Sequence, residues 1–249
     1  MSSVSLPGEA TLLESWRALG RTSPGAHVRE TVASVAAIFP AWDPLNNAIA
    51  RVPVDDARAT TAAVSNLDAG YARAGVTSWA YWVPSAARDL GADDSGVVTG
   101  LVRDVTTLVM RAELHDGRAE SATVRVASIL DAAAAGDEPI AVAELDEPTE
   151  AVGLDAWVLV RGGHAVAGAW SCVYDGDCGI YAVGTAPEWR RRGFARTLVE
   201  HALADAHQRG ARTASLQSTP MAVTLYESLG FEAVGRYEEW VREPGRASA

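Results

Sequence analysis

The chain has 249 residues, 48% hydrophobic and 21% charged, which is the balance of a globular protein with ample material for a core. Its formal net charge of -11 argues against the broad basic face that nucleic acid requires, so no nucleic-acid partner is expected. No apolar run approaches the roughly 20 residues that span a bilayer, and the opening MSSVSLPGEATLLESW has no basic region followed by an apolar stretch, so the expectation is a cytoplasmic protein with no membrane partner.

In chain order, residues 9–20 and 26–38 carry helix-like apolar spacing and are separated by the TSPG punctuation at 22–25. NNAIARV reads as a strand, and DDARATTAAVSNLDAGYARAG as a helix opened by acidic residues and closed by Gly75. VTSWAYWVP is a strand that Pro84 should stop, and SGVVTGLVRDVTTLVM is apolar without choosing between strand and helix. After ELHDGRAES the grammar restarts with the strand ATVRVAS, the helix start ILDAAAA and the acidic loop ELDEPTE. A hairpin turning at Gly162 and Gly163 follows, then the strand GIYAVGT and a helix from Gly193 to Gln208. The strand TASLQ, the helix PMAVTLYESLG and two short strands in FEAVGRYEEWVRE complete the chain. Alternating strands and helices define an α/β class. The expected division is 1–118 and 119–249, and the first part reads like a shortened version of the second.

The two cysteines, Cys172 and Cys178, match no zinc or redox spacing and read as reduced, partly buried thiols. His201 and His207 stand six apart on one helix and do not share a face, so no metal site is expected. All 21 basic residues are arginine; without lysine, no side-chain amine of this chain can be acylated.

The segment EWRRRGFARTL concentrates charge in an acidic chain. It lies between a strand ending at Thr185 and a helix whose apolar positions, Phe194, Leu198, Ala202 and Ala206, recur every four residues. The first N–H groups of a helix have no internal partner and the helix dipole adds positive potential, so a strand, an arginine-glycine turn and a helix start make an anion site. Gly193 permits close approach of the backbone to a ligand, and Ala195 keeps the next turn low. The same residues also suit a solvated basic loop that caps a helix.

YAVGTAPEWRRRGFARTLVEHAL followed by LYESLGF resembles the GNAT superfamily of acetyl-CoA-dependent N-acetyltransferases, over about residues 122–242. Arg190, Gly193 and Ala195 fill the family signature of Arg or Gln, two variable residues, Gly, one variable residue and Gly or Ala. Tyr226, with Gly230 and Phe231, stands near the second landmark. The resemblance implies a mixed, mostly antiparallel sheet flanked by helices, with a degenerate GNAT-like half before it. The first half, in NNAIARV and VTSWAYWVP, looks like the N-terminal region of some two-part GNAT proteins and lacks the arginine-glycine turn.

The resemblance also implies that the backbone of Val183, Gly184 and Thr185 takes the acetyl and pantetheine arm. The turn from Arg190, Arg191 and Arg192 through Gly193, Phe194, Ala195 and Arg196 would take the pyrophosphate. Tyr226 would lie by the coenzyme sulfur as proton donor. Where many relatives carry Asn on the pantetheine arm, this sequence has Thr219, whose hydroxyl replaces one of the amide's hydrogen bonds. The implied reaction is direct transfer of acetyl from acetyl-CoA, a co-substrate, to an amine of a small molecule or peptide; the other reading is a non-catalytic acyl-CoA or metabolite sensor. For the base, Glu188, Asp175, Asp177 and a water relay stay open, the two aspartates reading equally as turn residues. A homodimer also stays open.

Overall fold

The computed structural model describes residues 5–86, 98, 100–115, 124–127, 153–161 and 164–242. The helix start ILDAAAA, the acidic loop ELDEPTE and the turn at Gly162 and Gly163 lie outside the described residues.

Helix α1 spans Glu9–Thr22 and buries Leu12, Leu13, Trp16 and Leu19 along one face. Each of those side chains contributes about 1.5–3 kcal/mol by leaving water. Residues 26–38 are not a helix: they form β1 (His27–Glu30) and β2 (Ser34–Ile38), an antiparallel hairpin. The β-branched Val28, Thr31, Val32, Val35 and Ile38 favour the pleated sheet. The Thr31 hydroxyl also closes the turn, accepting from Ser34 N–H at 3.0 Å. Strand β3 (Asn47–Ala50) leads to α2 (Ala57–Arg73), capped by Asp56, whose carboxylate accepts from Ala59 N–H at 2.9 Å. Strand β4 (Trp79–Ala86) runs through Pro84 rather than stopping at it. This is tolerated because β3 pairs with β4 only as far as Trp82, leaving an open edge beside the proline. The ambiguous apolar run supplies β5 (Val102–Glu113), a strand.

The second half contributes β6 (Val124–Ala127), β7 (Asp155–Arg161), β8 (His164–Tyr174) and β9 (Asp177–Thr185). Then come α3 (Phe194–Gln208), β10 (Thr213–Ser218) and the short α4 (Val223–Glu227). The C-terminal segment is one strand, β11 (Glu232–Arg242), not two. Register shifts at Ala233/Gly235 and Glu238/Trp240 break its pattern into what reads locally as two pieces, while β5 holds it continuous.

All eleven described strands form one mixed, mostly antiparallel sheet in the order β1-β2-β3-β4-β11-β5-β10-β9-β8-β7-β6. The order is nearly palindromic. From either side come two antiparallel pairings (β1/β2/β3 and β7/β8/β9), a parallel pairing (β3/β4 and β9/β10) and an antiparallel one (β4/β11 and β10/β5). Helices α2 and α3 connect the parallel strands on the two sides. β5 and β11 are exchanged: β4 pairs with β11 from the chain's end, and β10 pairs with β5 from the first half. The last strand of each half therefore lies beside the body of the other.

Three buried clusters follow. One sets α2 against β2–β4, through Val64, Leu67 and Tyr71. Another sets α3 against β7–β10, through Leu198, Val199 and Ala202. The third sets α1 from the first half onto second-half residues Val158, Trp170 and Cys172. Removing residues 1–115 takes away both α1 and β5, stripping β10 and β11 of their shared neighbour. The 116–249 fragment is expected to be insoluble or to lack a cooperative thermal transition by circular dichroism; a soluble fragment melting like the intact chain would contradict the interlocked sheet.

Candidate functional site

The two parallel strands β9 and β10 pair from Thr213/Asp177 to Leu216/Ile180 and then separate. At that point β9 bulges: Trp170 and Gly168 on β8 face Tyr181 and Gly184, so one β8 residue spans two of β9, Ala182 and Val183. Ala182 sits at φ 51, the left-handed region that costs a non-glycine residue about 1–2 kcal/mol. Strain of this kind persists only where the surroundings impose it, and here it frees backbone on the side facing β10.

Beyond Thr185 the chain makes a 3-10 turn, Pro187–Trp189, and enters α3. Gly193 is the N-cap at φ 84, and no side chain caps the helix start. A Cβ at Gly193 would meet nothing within 4 Å, so the space over this turn is open to a ligand. The arginines divide their work. Arg190 Nε donates to Thr185 O at 3.3 Å, tying the turn to β9. Arg192 donates to Glu188 O at 3.1 Å and lies over the Trp189 ring at 4.9 Å. Arg196 bonds Glu200 at 2.7 Å and the Ser228 carbonyl at 2.9 Å, fastening α3 to the turn after α4. Arg191 is exposed with φ 57. These side chains shape the loop and hold its charge in place, while the first-turn N–H groups of Phe194, Ala195 and Arg196 face outward as helix starts do. An uncapped helix start, a basic turn and a gap between parallel strands fit an elongated ligand that ends in a diphosphate.

Val183, Thr219, Ala222 and Tyr226 line the inner end of the gap, where it opens into a cavity of about 380 Å3. Tyr226 is buried and stands edge-on to Phe231, with ring centroids 5.9 Å apart. Burial pushes its hydroxyl up to about 12, so it keeps its proton at neutral pH. Thr219, just after β10, accepts from Ala222 N–H at 3.0 Å through its carbonyl, and its neighbour Ser218 donates to that same oxygen at 2.9 Å.

The rest of the cavity belongs to residues that sequence reading did not single out. Leu12, Trp16 and Leu19 come from α1, Leu45 and Asn47 from the stretch before and within β3, and Trp82 from β4. Trp170 faces them from β8. Among the described residues, Glu239 of β11 is the single charged side chain in the lining, with no arginine or histidine beside it. Burial lifts its carboxyl to about 7; the nearby Asp104 adds to the shift and the Trp82 indole opposes it. Its neighbour Glu238 is buried and ion-paired to Arg236 at 3.0 Å and to Arg103 at 3.4 Å, so the two adjacent carboxylates have different work. Two glutamates side by side in a strand are a weak signal in sequence. Only the pairing of β11 with β4 brings Glu239 opposite Trp82.

Of the base candidates, Asp177 is at the far end of β9 and accepts from Thr11, Thr213 and Ser215 at 2.8, 2.7 and 2.6 Å. It is a structural clamp, not a base. Asp175, at φ 49, belongs to the same β8–β9 turn. Glu188 is exposed on the 3-10 turn. Both cysteines are free and buried, and burial raises both thiols, which suits packing rather than nucleophilic work. His201 lies edge-on to Trp157 at 5.7 Å, in a packing role.

Strands that part above a helix start belong to an α/β architecture that comparison with known proteins names. Residues 153–233 match the family model of the acetyltransferase (GNAT) domain. Over 95 residues it is 33% identical to the [ribosomal protein bS18]-alanine N-acetyltransferase of Escherichia coli strain K12, covering 36% of this chain. The chain spans 64% of the length of that relative. A GCN5-related N-acetyltransferase from Kribbella flavida has the same fold over 96% of this chain and 97% of its own, with TM-score 0.65 and 22% identity. A tandem GNAT protein from the clavulanic acid biosynthesis pathway covers 99% of both chains with TM-score 0.53 and 12% identity. The mixed sheet flanked by helices is thus a GNAT-type fold along the whole chain. Among the described residues, no helix is long and apolar enough to cross a membrane, and no group of three or more His, Cys, Asp or Glu could hold a metal.

Two outcomes are expected. Gly193→Val places a branched side chain in the open space over the turn and at a positive φ; calorimetry should show acetyl-CoA affinity lost in a protein that still melts cooperatively. Glu239 binds its proton more tightly folded than unfolded, so the stability it adds is present below its ordinary value and declines as pH rises through about 7. The melting temperature of Glu239→Gln relative to the parent should therefore increase between pH 5 and pH 8.

Proposed function

We propose that the chain is an acetyl-CoA-dependent N-acetyltransferase that acts by direct transfer on a primary amine of a small molecule or peptide. Residues 119–249 form its catalytic unit. Residues 1–118 form a degenerate GNAT-like unit that binds no coenzyme and walls the acceptor side. The observation that carries this reading is the parting of β9 and β10 over the uncapped start of α3, with Tyr226 at the inner end of the gap.

When bound, acetyl-CoA supplies an acetyl group activated as a thioester. Gly193 and the N–H groups of Arg191 to Arg196 take the pyrophosphate, with Arg190 and Arg192 holding the turn in shape. Val183, Gly184, Thr185 and Thr219 line the path of the pantetheine arm on the two parted strands. Backbone N–H freed by the Ala182–Val183 bulge is available to oxygen where charge develops. The neutral amine attacks the thioester carbonyl and the C–S bond breaks. The Tyr226 hydroxyl, protonated at neutral pH, gives its proton to the departing sulfur, while the proton shed by the new amide nitrogen passes to solvent, from which the phenolate is reprotonated.

The start of α2 supports the expectation of one coenzyme per chain. The start of α2 corresponds to that of α3 in the near-palindromic sheet, but Asp56 fills it with its own carboxylate, and Asp55 precedes it. Two negative charges at the helix start repel a diphosphate. Calorimetric titration should return a stoichiometry of one acetyl-CoA per chain; a value of two would overturn the assignment of the first half.

The name of the Escherichia coli relative, a bS18-alanine N-acetyltransferase, favours a protein or peptide amine as a second reading of the acceptor. Release of free coenzyme A in the presence of amines distinguishes an enzyme from a sensor that only binds. Tyr226→Phe keeps the ring and its contact with Phe231, so acetyl-CoA affinity and stability should be nearly unchanged. The rate should fall roughly a hundredfold, as for positioned proton donors. The parent rate, measured where chemistry limits turnover, would return Tyr226 to a packing role.

A further inference from the structure

The acceptor end of the cavity has a chemistry of its own, and this inference rests on the acetyltransferase reading of the same site. Two aromatic runs converge on it. Trp16, Trp82 and Tyr237 follow one another with centroid separations of 6.0 and 5.3 Å, and Phe39, Trp42 and Trp170 with 6.4 and 6.2 Å. Trp16, Trp82 and Trp170 present surface to the cavity, with Leu12, Leu19 and Leu45 between them. The Thr107 hydroxyl and the Trp170 indole N–H belong to lining residues and are buried with no hydrogen-bond partner among the described residues. Among the described lining residues Glu239 alone is charged.

We infer that the acceptor is a primary amine on an apolar, preferentially aromatic body with no acidic group, and that Glu239 is the residue that selects it by pairing with its ammonium. A lone carboxylate among indoles attracts a cation twice, through its own charge and through the ring faces. An acceptor carboxylate, by contrast, would meet no arginine among the described lining residues and would be repelled by Glu239. Free amino acids are disfavoured on that ground. Polyamines are disfavoured because the described lining offers one carboxylate, so a second ammonium would lose its hydration in the apolar wall without a countercharge. The cavity of about 380 Å3 is at the low end of the roughly 300–1,000 Å3 usual for small-molecule sites, and the thioester end takes part of it. A small arylalkylamine fits those limits. The groups that bear on Glu239 are the Asp104 carboxylate from β5 and the Trp82 indole from β4. Among the described residues, no arginine or histidine lines the cavity beside it.

The probes are 2-phenylethylamine, its neutral analogue 2-phenylethanol, L-phenylalanine, spermidine and a short peptide with N-terminal alanine. Binding to the coenzyme-free chain is followed by calorimetry and by tryptophan fluorescence, and transfer by coenzyme A release. In the parent, 2-phenylethylamine should bind at least tenfold more tightly than 2-phenylethanol and should be acetylated at least tenfold more efficiently than the other three amines. Near pH 7 its binding should release protons, seen as a dependence of the heat on buffer, because an adjacent ammonium draws the Glu239 proton off. Glu239→Gln should abolish the preference for amine over alcohol and the proton release, with acetyl-CoA affinity unchanged. Equal or better use of phenylalanine, spermidine or the peptide would overturn the inference. So would an amine affinity indifferent to Glu239→Gln, or equal binding of amine and alcohol in the parent. Glu239-dependent amine binding without any transfer supports the amine pocket and counts against the acetyltransferase reading instead, so the two fail separately.

Discussion

The antiparallel pairing of β5 with β11 is the contact on which the rest of the structure depends. Each of these strands is also the neighbour of a strand from the other half, so neither half completes its sheet alone. Ion pairs reinforce β11: the buried carboxylate of Glu238 meets the partly exposed Arg103 of β5, and the side chain of Arg242 forks onto Asp68 of α2. Glu238 is the buried member, and its charge left without a partner would be strongly destabilising. The cavity lies on this seam. One wall comes from α1, β4, β5 and β11, and the other from β8, β9 and β10.

The parallel pair β9/β10 is held shut at one end and open at the other, and different residues do each. At the closed end Asp177 gathers three hydroxyls, one of them from Thr11 of α1. Gly8, the N-cap of α1, comes so close that a Cβ there would overlap Ser215 Oγ at 2.1 Å. At the open end the bulge at Ala182 and Val183 turns the backbone out of register. A gap opened by strand geometry, rather than by mobile loops, is preorganised, which lowers the ordering cost of a long flexible ligand.

The near-palindrome also shows how similar backbones diverge in chemistry. The starts of α2 and α3 occupy equivalent places after parallel-paired strands. One is closed by a self-capping aspartate, the other left uncapped at a glycine beside arginines. A few side chains at one helix start thus decide whether its first N–H groups are taken by a side chain or left uncapped.

What the sequence determined by itself was local. The spacing of Phe194, Leu198, Ala202 and Ala206 sets helix α3, and the arginine-glycine turn before it sets a helix start open to anions, because both depend on residues within a few positions of each other. The GNAT character of the second half, and the place of Tyr226 on the helix after β10, were legible for the same reason. The tertiary structure alone decided the rest. The hairpin at residues 27–38 replaces a helix-like spacing because β2 is claimed on one side by β3. β11 is one strand because β5 spans its bulges, and Pro84 is tolerated because β3 stops short of it. Asp177, suited by its turn to face an acceptor, is taken by hydroxyls from α1 and β10, and Glu239 gains its place beside the tryptophans only through pairing with β4. Each of these outcomes depends on contacts between residues far apart in the chain, which no local pattern of propensity or spacing encodes.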